Sequence, residues 1–261
     1  VYVAPNSRFD RETSHGEDRY YHLILLAENN TGYANLMKIV SIGFTEGYYY
    51  RPRVDFETLQ KYHEGLICLS ACLAGEVPRY IVRGFYEEAK GIAKKYQDCF
   101  GKDNYFLELQ DHGIPDQKTV NQGLLRISQE LDIPLVCTND IHYTYETDVE
   151  AHDVLLCKKI TDEDRMRYEG GQFFVKSEEQ MRSLFPYAKE AADNTQKIAD
   201  RCHVTLEFGN YQIPKYAPPE GYDSAWTFLN ALCEKGFQEK YTDNPAYDKA
   251  QCAKIHEDME Y

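Results

Sequence analysis

Asp140 and His142 stand two apart in Thr138-Asn139-Asp140-Ile141-His142, directly after the apolar run Ile133-Pro134-Leu135-Val136-Cys137. The run reads as a buried strand. On an extended backbone residues i and i+2 share a face, so a carboxylate and an imidazole are expected side by side where the strand gives out. That pairing at the carboxyl end of a parallel strand suits a divalent metal or acid–base chemistry. The simpler alternative is that Asp140 caps the next turn and His142 is a partly exposed loop residue.

Other polar residues fall near strand-like runs in the same way. His22 opens one run, Cys72 lies just past another, and Glu108 and His112 flank the end of a third. His, Cys, Asp and Glu are the side chains that hold zinc, manganese or iron. Each has a structural alternative: a hydrogen-bonded strand-edge histidine for His22, a small buried residue for Cys72, a turn-shaping residue for His112. The segment Tyr48-Tyr49-Tyr50-Arg51-Pro52-Arg53 interleaves aromatic and basic side chains. Tyr49, Tyr50, Arg51 and Arg53 are candidates to stack on or clamp single-stranded DNA. The alternative is a surface loop packed against its own domain.

The elements that must position these residues alternate between two periods. Strand-like runs are Tyr21 to Ala27, Gly65 to Ser70, Tyr105 to Leu109 and Ile133 to Cys137. Helical spacing follows each: Leu36, Ile39, Val40 and Phe44 after Asn30-Thr31-Gly32; Phe85, Ala89, Ile92, Ala93 and Tyr96 within a helix from about Ile81 to Phe100; Val120, Leu124, Ile127, Ser128 and Leu131; and a helix over roughly 147–158. Repeated strand–helix–strand units imply parallel strands covered by helices, as a barrel or an open sheet, with chemistry at the carboxyl edge. After Gly170-Gly171 the pattern turns helical, with a cap at Ser177-Glu178-Glu179-Gln180 and a second helix from about Lys189 to Cys202. Val204 to Phe208 could be a strand, and Ile213 to Pro219 reads as a linker. The rest, from about Ser224, is amphipathic helix broken at Asn244-Pro245.

The totals bound the classes. A chain of 261 residues with 43% hydrophobic and 28% charged residues can bury a sizeable core. No apolar run approaches the ~20 residues that cross a bilayer, and no signal peptide is visible. The eight cysteines form no Cys-x-x-Cys pair, which argues for reduced thiols rather than a disulfide framework or a zinc finger. A net charge of −14 speaks against a surface that wraps nucleic acid over its whole area. It leaves room for a metal-bridged contact with one phosphodiester, since a bound cation reverses the local field.

Several of these stretches resemble one family. His22-Leu-Ile-Leu-Leu-Ala27 with Asn29-Asn30-Thr31-Gly32-Tyr33, Gly47 to Asp55, Leu69-Ser70-Ala71-Cys72-Leu73-Ala74-Gly75-Glu76 and Thr138 to Tyr143 are similar to the bacterial replicative DNA polymerase III alpha subunits. So are Phe174 to Met181 and Ala199-Asp200-Arg201-Cys202. The resemblance runs in order over essentially the whole chain. It covers the PHP (polymerase and histidinol phosphatase) domain, expected over residues 1–203, and a linker with the start of the palm over 204–261.

The resemblance implies an α/β fold, a distorted (β/α)7 TIM-like barrel of the PHP type, incomplete at its N-terminus and followed by a mainly helical extension. It implies that His22, Cys72, Asp140 and His142 are metal ligands, with Asp140 and His142 also catalytic, and that Glu108 and His112 support them. Zinc or manganese is the expected metal of this site, and magnesium that of the parent polymerase. DNA, deoxynucleotides, a sliding clamp, a clamp loader and a proofreading subunit are the implied partners, in the cytoplasm and with no membrane. The chain opens on what reads as mid-strand, Val1-Tyr2-Val3-Ala4-Pro5. The family's first metal motif and its palm aspartates are therefore expected outside it, and the chain alone is expected to be inactive. Three functions remain open: metal-dependent 3′–5′ exonuclease within a DNA-directed DNA polymerase, a scaffold that supports the polymerase, and a free-standing phosphoesterase.

Overall fold

A computed structural model describes residues 1–11, 18–156, 168, 170–211, 213–242 and 244–260. The fold is mixed α/β and divides into two compact units, Val1–Leu206 and Glu207–Tyr261. In the first unit the described strands form two four-stranded sheets. One contains β1 (Tyr2–Val3), β2 (Tyr21–His22), β4 (Tyr48–Tyr49) and β5 (Arg51–Val54), in the order β2-β1-β5-β4. The other contains β3 (Ile24–Ala27), β6 (Leu66–Leu69), β7 (Tyr105–Leu109) and β8 (Leu135–Cys137), in the order β3-β6-β7-β8.

The second sheet carries the site. Its strands β6, β7 and β8 run parallel and are buried on both faces, which is why they read as unbroken apolar runs. Alternate residues serve opposite layers. Leu66, Cys68, Leu107, Leu109, Leu135 and Cys137 pack with helices α4 (Tyr86–Phe100) and α5 (Pro115–Leu131), through Ala89, Ala93, Tyr96, Leu124 and Ile127. Ile67, Leu69, Phe106 and Val136 face the other way and meet Ile198 of α8 (Lys189–Arg201). Burying each such Leu or Ile contributes about 1.5–3 kcal/mol.

The parallel expectation fails at β3, which is antiparallel to β6. Between them the chain makes an excursion through α1 (Asn30–Thr45), the antiparallel β4–β5 hairpin and α2 (Phe56–Tyr62). The excursion closes on its own starting point. The Glu28 N–H donates to the Gly65 carbonyl at 2.9 Å. Gly32 lies so close that a Cβ there would sit 1.8 Å from the Gly65 oxygen. A chain that returns where it left must run back along the strand it came from, so Leu66 pairs with Ala27 and Leu69 with Ile24.

Local signals explain the helices. Asn29 caps α1 by accepting from the Gly32 N–H, and Asp55 caps α2 by accepting from the Thr58 N–H. Ser177 and Gln180 form a reciprocal capping box at α7 (Glu178–Leu184). In the second unit Ser224 caps α9 (Ala225–Phe237), which is followed by a π-helical turn and α10 (Lys249–Glu260).

Other expectations need correction. Tyr21 to Ala27 is two strands in two sheets rather than one. The helix expected from Ile81 to Phe100 is α3 (Glu76–Val82) and then α4, split at Gly84, whose φ of +81° no continuing helix adopts. Phe85 is half exposed, and on α1 Val40 and Phe44 face outward while Ile39 is buried. The residues 204–208 form no strand. The helix expected over 147–158 is a short 3₁₀ turn and α6 (Val149–Leu156); residues 157 and 158 lie outside the described residues.

Arg53 is not an exposed base-clamping residue. It is 1% exposed, and its guanidinium donates to the backbone carbonyls of Gly47, Arg19, Arg8 and Asp10. It ties the backbone at Arg8, Asp10 and Arg19 to β5, and these bonds hold the guanidinium inside the fold. Its neighbours in the hairpin face one another or nearby cations: Arg53 lies 5.0 Å from the Tyr49 ring, Arg19 4.2 Å from the Tyr50 ring and Arg51 5.8 Å from the Tyr2 ring. Seven cysteines are free thiols; Cys157 lies outside the described residues. Among the described residues no helix is long and apolar enough to cross a membrane.

Candidate functional site

The carboxyl ends of β6, β7 and β8 open on one cavity of about 770 Å³. His22, Cys72, Glu108, His112, Asp140 and His142 all line it. Cys72 follows β6, His112 follows β7, and Asp140 and His142 follow β8, so three parallel strands deliver four of the six to one edge. His22 arrives differently. It sits two residues before Ile24, the antiparallel partner of Leu69. Reversal of β3 therefore puts its amino end beside the carboxyl end of β6. The His22 N–H donates to the Ala74 carbonyl at 2.9 Å, and His22 bridges Gly75.

Two donor pairs result. The Sγ of Cys72 lies 3.7 Å from Nδ1 of His22. Oδ1 of Asp140 lies 3.6 Å from Nε2 of His142. Burial holds the His22 imidazole below its usual range, aided by nearby positive charge and opposed by Asp140. Burial pushes the Cys72 thiol up.

The route by which Asp140 and His142 meet differs from the extended strand expected. β8 stops at Cys137, and Asp140 has φ +40°. The chain turns in the left-handed region, which Asp tolerates better than most residues, and the turn rather than the pleat brings the two side chains together. Ala71, one residue before Cys72, also has a positive φ of +64°. Its N–H is held by the Glu108 carboxylate at 3.0 Å.

Glu108 and His112 do not join the donor pairs. Glu108 is buried and accepts from the Ala71 N–H, the Gln110 amide and the Thr138 hydroxyl. Burial nonetheless raises its pKa, against the pull of those hydrogen bonds. It thus ties the ends of all three parallel strands together.

His112 uses both ring nitrogens internally. The backbone N–H of His112 donates to Gln117 Oε1 at 2.7 Å, which fixes the orientation of that amide. The Gln117 Nε2 then donates to His112 Nδ1 at 2.7 Å. Hence Nε2 carries the proton and donates to the Asn139 carbonyl at 2.8 Å. Burial lowers the pKa of His112 and keeps this neutral form. Asn139 in turn donates to the carbonyls of Gln172 and Phe174, and Phe173 stacks on His112 at 3.9 Å. His112 and Asn139 thereby clamp the Asp140 turn to the segment 172–174.

Sequence reasoning missed the aromatic surround of His142. Tyr168 lies 4.3 Å from its ring, and His152 and Phe173 each 5.7 Å away. His152 lies on α6, where its only signal was a histidine in a helical run. Gln110 was missed too. It is buried, its Oε1 has no hydrogen-bond partner among the described residues, and it lines the same cavity.

An imidazole with a thiol, a carboxylate with an imidazole and one orphaned amide oxygen are donors that suit a borderline divalent cation. They come as pairs: among the described residues no three of His, Cys, Asp or Glu converge on one point.

Comparison with known proteins bears on what this cavity belongs to. Residues 1–112 match the family model of the PHP domain. Over 92% of its length the chain is 44% identical to DNA polymerase III subunit alpha of Treponema pallidum and 41% identical to that of Borreliella burgdorferi, covering 21% of each. It is 40% identical to the Thermus aquaticus subunit over 93% of its length, again 21% of that protein. The chain therefore spans about a fifth of the length of these relatives. Begun at its amino end by a PHP domain, this chain is homologous to a segment of the DNA polymerase III alpha subunits.

Proposed function

We propose that the cavity is a metal-dependent phosphoester site within a DNA-directed DNA polymerase, and that it serves 3′–5′ removal of nucleotides. The observation that carries this reading is that the His22–Cys72 and Asp140–His142 pairs line one cavity. These four side chains would hold the metal, zinc or manganese. A bound cation of that kind supplies a water ionised near neutral pH and neutralises phosphate charge. The chain's own contribution is orientation. Glu108 fixes the strand ends, neutral His112 fixes the Asp140 turn, and Tyr168 and Phe173 flank the His142 ring.

The same reading extends to the rest of the molecule. The first unit is proposed to be a distorted (β/α)7 barrel of the PHP type, supported by the parallel β6–β7–β8 core and its helices. The residues after about 204 are proposed to lead into a palm. DNA, deoxynucleotides with magnesium, a sliding clamp, a clamp loader and a proofreading subunit are proposed partners of the parent, in the cytoplasm. The relatives' printed names support the polymerase part of this.

A second reading, that the domain is a scaffold, is favoured by a specific observation. No three described donors converge, and Glu108 and His112 are fully engaged in hydrogen bonds within the fold. Metal content of the purified chain, with metal-dependent trimming of a labelled 3′ end by the full-length polymerase, separates the two. Metal bound at the cavity with trimming that Asp140→Asn abolishes supports the site; trimming absent from a polymerase that still extends primers supports the scaffold.

A further inference from the structure

We propose that Arg79 is the residue that recognises phosphate in this cavity, holding the scissile phosphodiester of the substrate and the nucleoside 5′-monophosphate released from it. The inference rests on the phosphoester reading above and adds the residue that would select the anion. In a chain of net charge −14, an anionic ligand needs local positive charge to enter. Among the described residues lining the cavity, Arg79 is the one Lys or Arg, in a lining that also includes Asp140, Glu108 and Asp116.

Its placement is set by the same contacts that place the donor pairs. Arg79 lies one turn into α3, where its N–H donates to the Gly75 carbonyl at 3.0 Å. Gly75 bridges His22, and Cys72 is three residues upstream of it. A Cβ on Gly75 would lie 2.2 Å from the Ser70 oxygen, so the turn between Cys72 and α3 has no room to shift. Arg79 is thus held in fixed relation to the His22–Cys72 pair.

Among the described residues its charge is only weakly matched. The Nε of Arg79 lies 3.9 Å from Asp18, at the edge of an ion pair, whereas the same carboxylate takes Arg83 at 2.6 Å. The Arg79 side chain keeps 45% exposure. A guanidinium presents a planar fork that matches two phosphate oxygens at once, which an ammonium cannot do.

The test uses the 261-residue chain loaded with manganese, and thymidine 5′-monophosphate as the probe, titrated by calorimetry at fixed ionic strength. Arg79→Gln and Arg79→Lys are compared with the wild type, with folding checked by circular dichroism and metal by elemental analysis. Loss of a charge-assisted bidentate contact should weaken binding about 10- to 100-fold in Arg79→Gln. Arg79→Lys should fall between, because it keeps the charge and loses the fork. Metal content should be equal in all three. Equal affinity in all three, or no binding by the metal-loaded wild type, overturns the inference. So does loss of metal in Arg79→Gln, since Arg79 would then act on the fold rather than on the ligand. Arg79-dependent binding by a chain that retains no metal would sink the metal reading while leaving Arg79 as the anion receptor.

Discussion

Ile24 faces Leu69 across the antiparallel β3–β6 ladder, and this register brings His22, two residues before the one, within 3.7 Å of Cys72, three residues after the other. The pair depends on β3 running backwards, and β3 runs backwards because the excursion through α1 and α2 closes at Gly32 and Gly65. A close backbone contact far from the cavity thus determines which residues share it.

Gly32 therefore carries a stability prediction. A methyl group there would sit 1.8 Å from the Gly65 oxygen, and backbone cannot yield as a flexible side chain does. Gly32→Ala should destabilise the chain by at least about 2 kcal/mol. Gly91, on the exposed side of α4, has nothing within 4 Å of the same position. Gly91→Ala should stabilise by about 0.5–1 kcal/mol, since Ala favours helix. Urea unfolding of both variants checks the contrast; equal midpoints would remove the close contact from the account.

Asp55 makes a pH prediction. It caps α2, accepts both Thr58 donors, and takes the Arg8 backbone and guanidinium at 3.0 Å. Burial alone would raise its pKa, but these hydrogen bonds and the Arg8 charge together hold it below the usual carboxylate range. A depressed folded value means the stabilisation is fully present above the unfolded value, about pH 4, and is lost as pH falls through the folded value. Asp55→Ala should cost about 2–3 kcal/mol at pH 7. The gap between variant and wild type should close at low pH. A gap that stays constant down to the acid transition would show that Asp55 stabilises by packing alone.

Much of this was legible in advance because burial on both faces leaves an unmistakable apolar run, and β6, β7 and β8 are such runs. The cap at Ser177 also follows from residue type alone. What was not legible depended on partners distant in sequence. Nothing in Tyr21 to Ala27 tells that Leu23 separates two sheets. Nothing in Arg-Pro-Arg tells that Arg53 is turned inward onto four carbonyls while Arg51 is exposed. The Asp140–His142 pairing was anticipated from the pleat of a strand, yet it arises from a left-handed turn that only the surrounding contacts hold in place.

Those contacts centre on Asn139. Its amide joins the carbonyls of Gln172 and Phe174, and its Oδ1 accepts from Lys176 at 3.2 Å. Asn139→Ala would leave the Phe174 carbonyl without its amide donor and the Gln172 carbonyl with Lys176 alone, costing about 1–3 kcal/mol. It should also loosen the Asp140 turn, so hydrogen exchange at the His142 N–H, which donates to Phe173 at 2.9 Å, should speed up far more than exchange in β7. Uniform acceleration across the sheet would mean that Asn139 supports the fold at large and not this turn.

Asp140→Asn tests the metal reading with the least structural disturbance. Asn tolerates a left-handed backbone as Asp does, so the φ of +40° carries no added strain, whereas Ala would confound strain with lost ligation. The substitution keeps size and hydrogen-bonding capacity and removes the negative charge that a hard or borderline cation requires. Bound zinc or manganese should fall substantially, with little change in melting temperature. His142→Ala should act the same way, since its ring lies 3.6 Å from Asp140. The double variant should lose little more than either single one, because one broken site cannot be broken twice. Elemental analysis of the three proteins decides the matter. Full metal occupancy in all of them would end the claim that the turn after β8 holds a metal, and a large fall in melting temperature at unchanged occupancy would make Asp140 a structural cap.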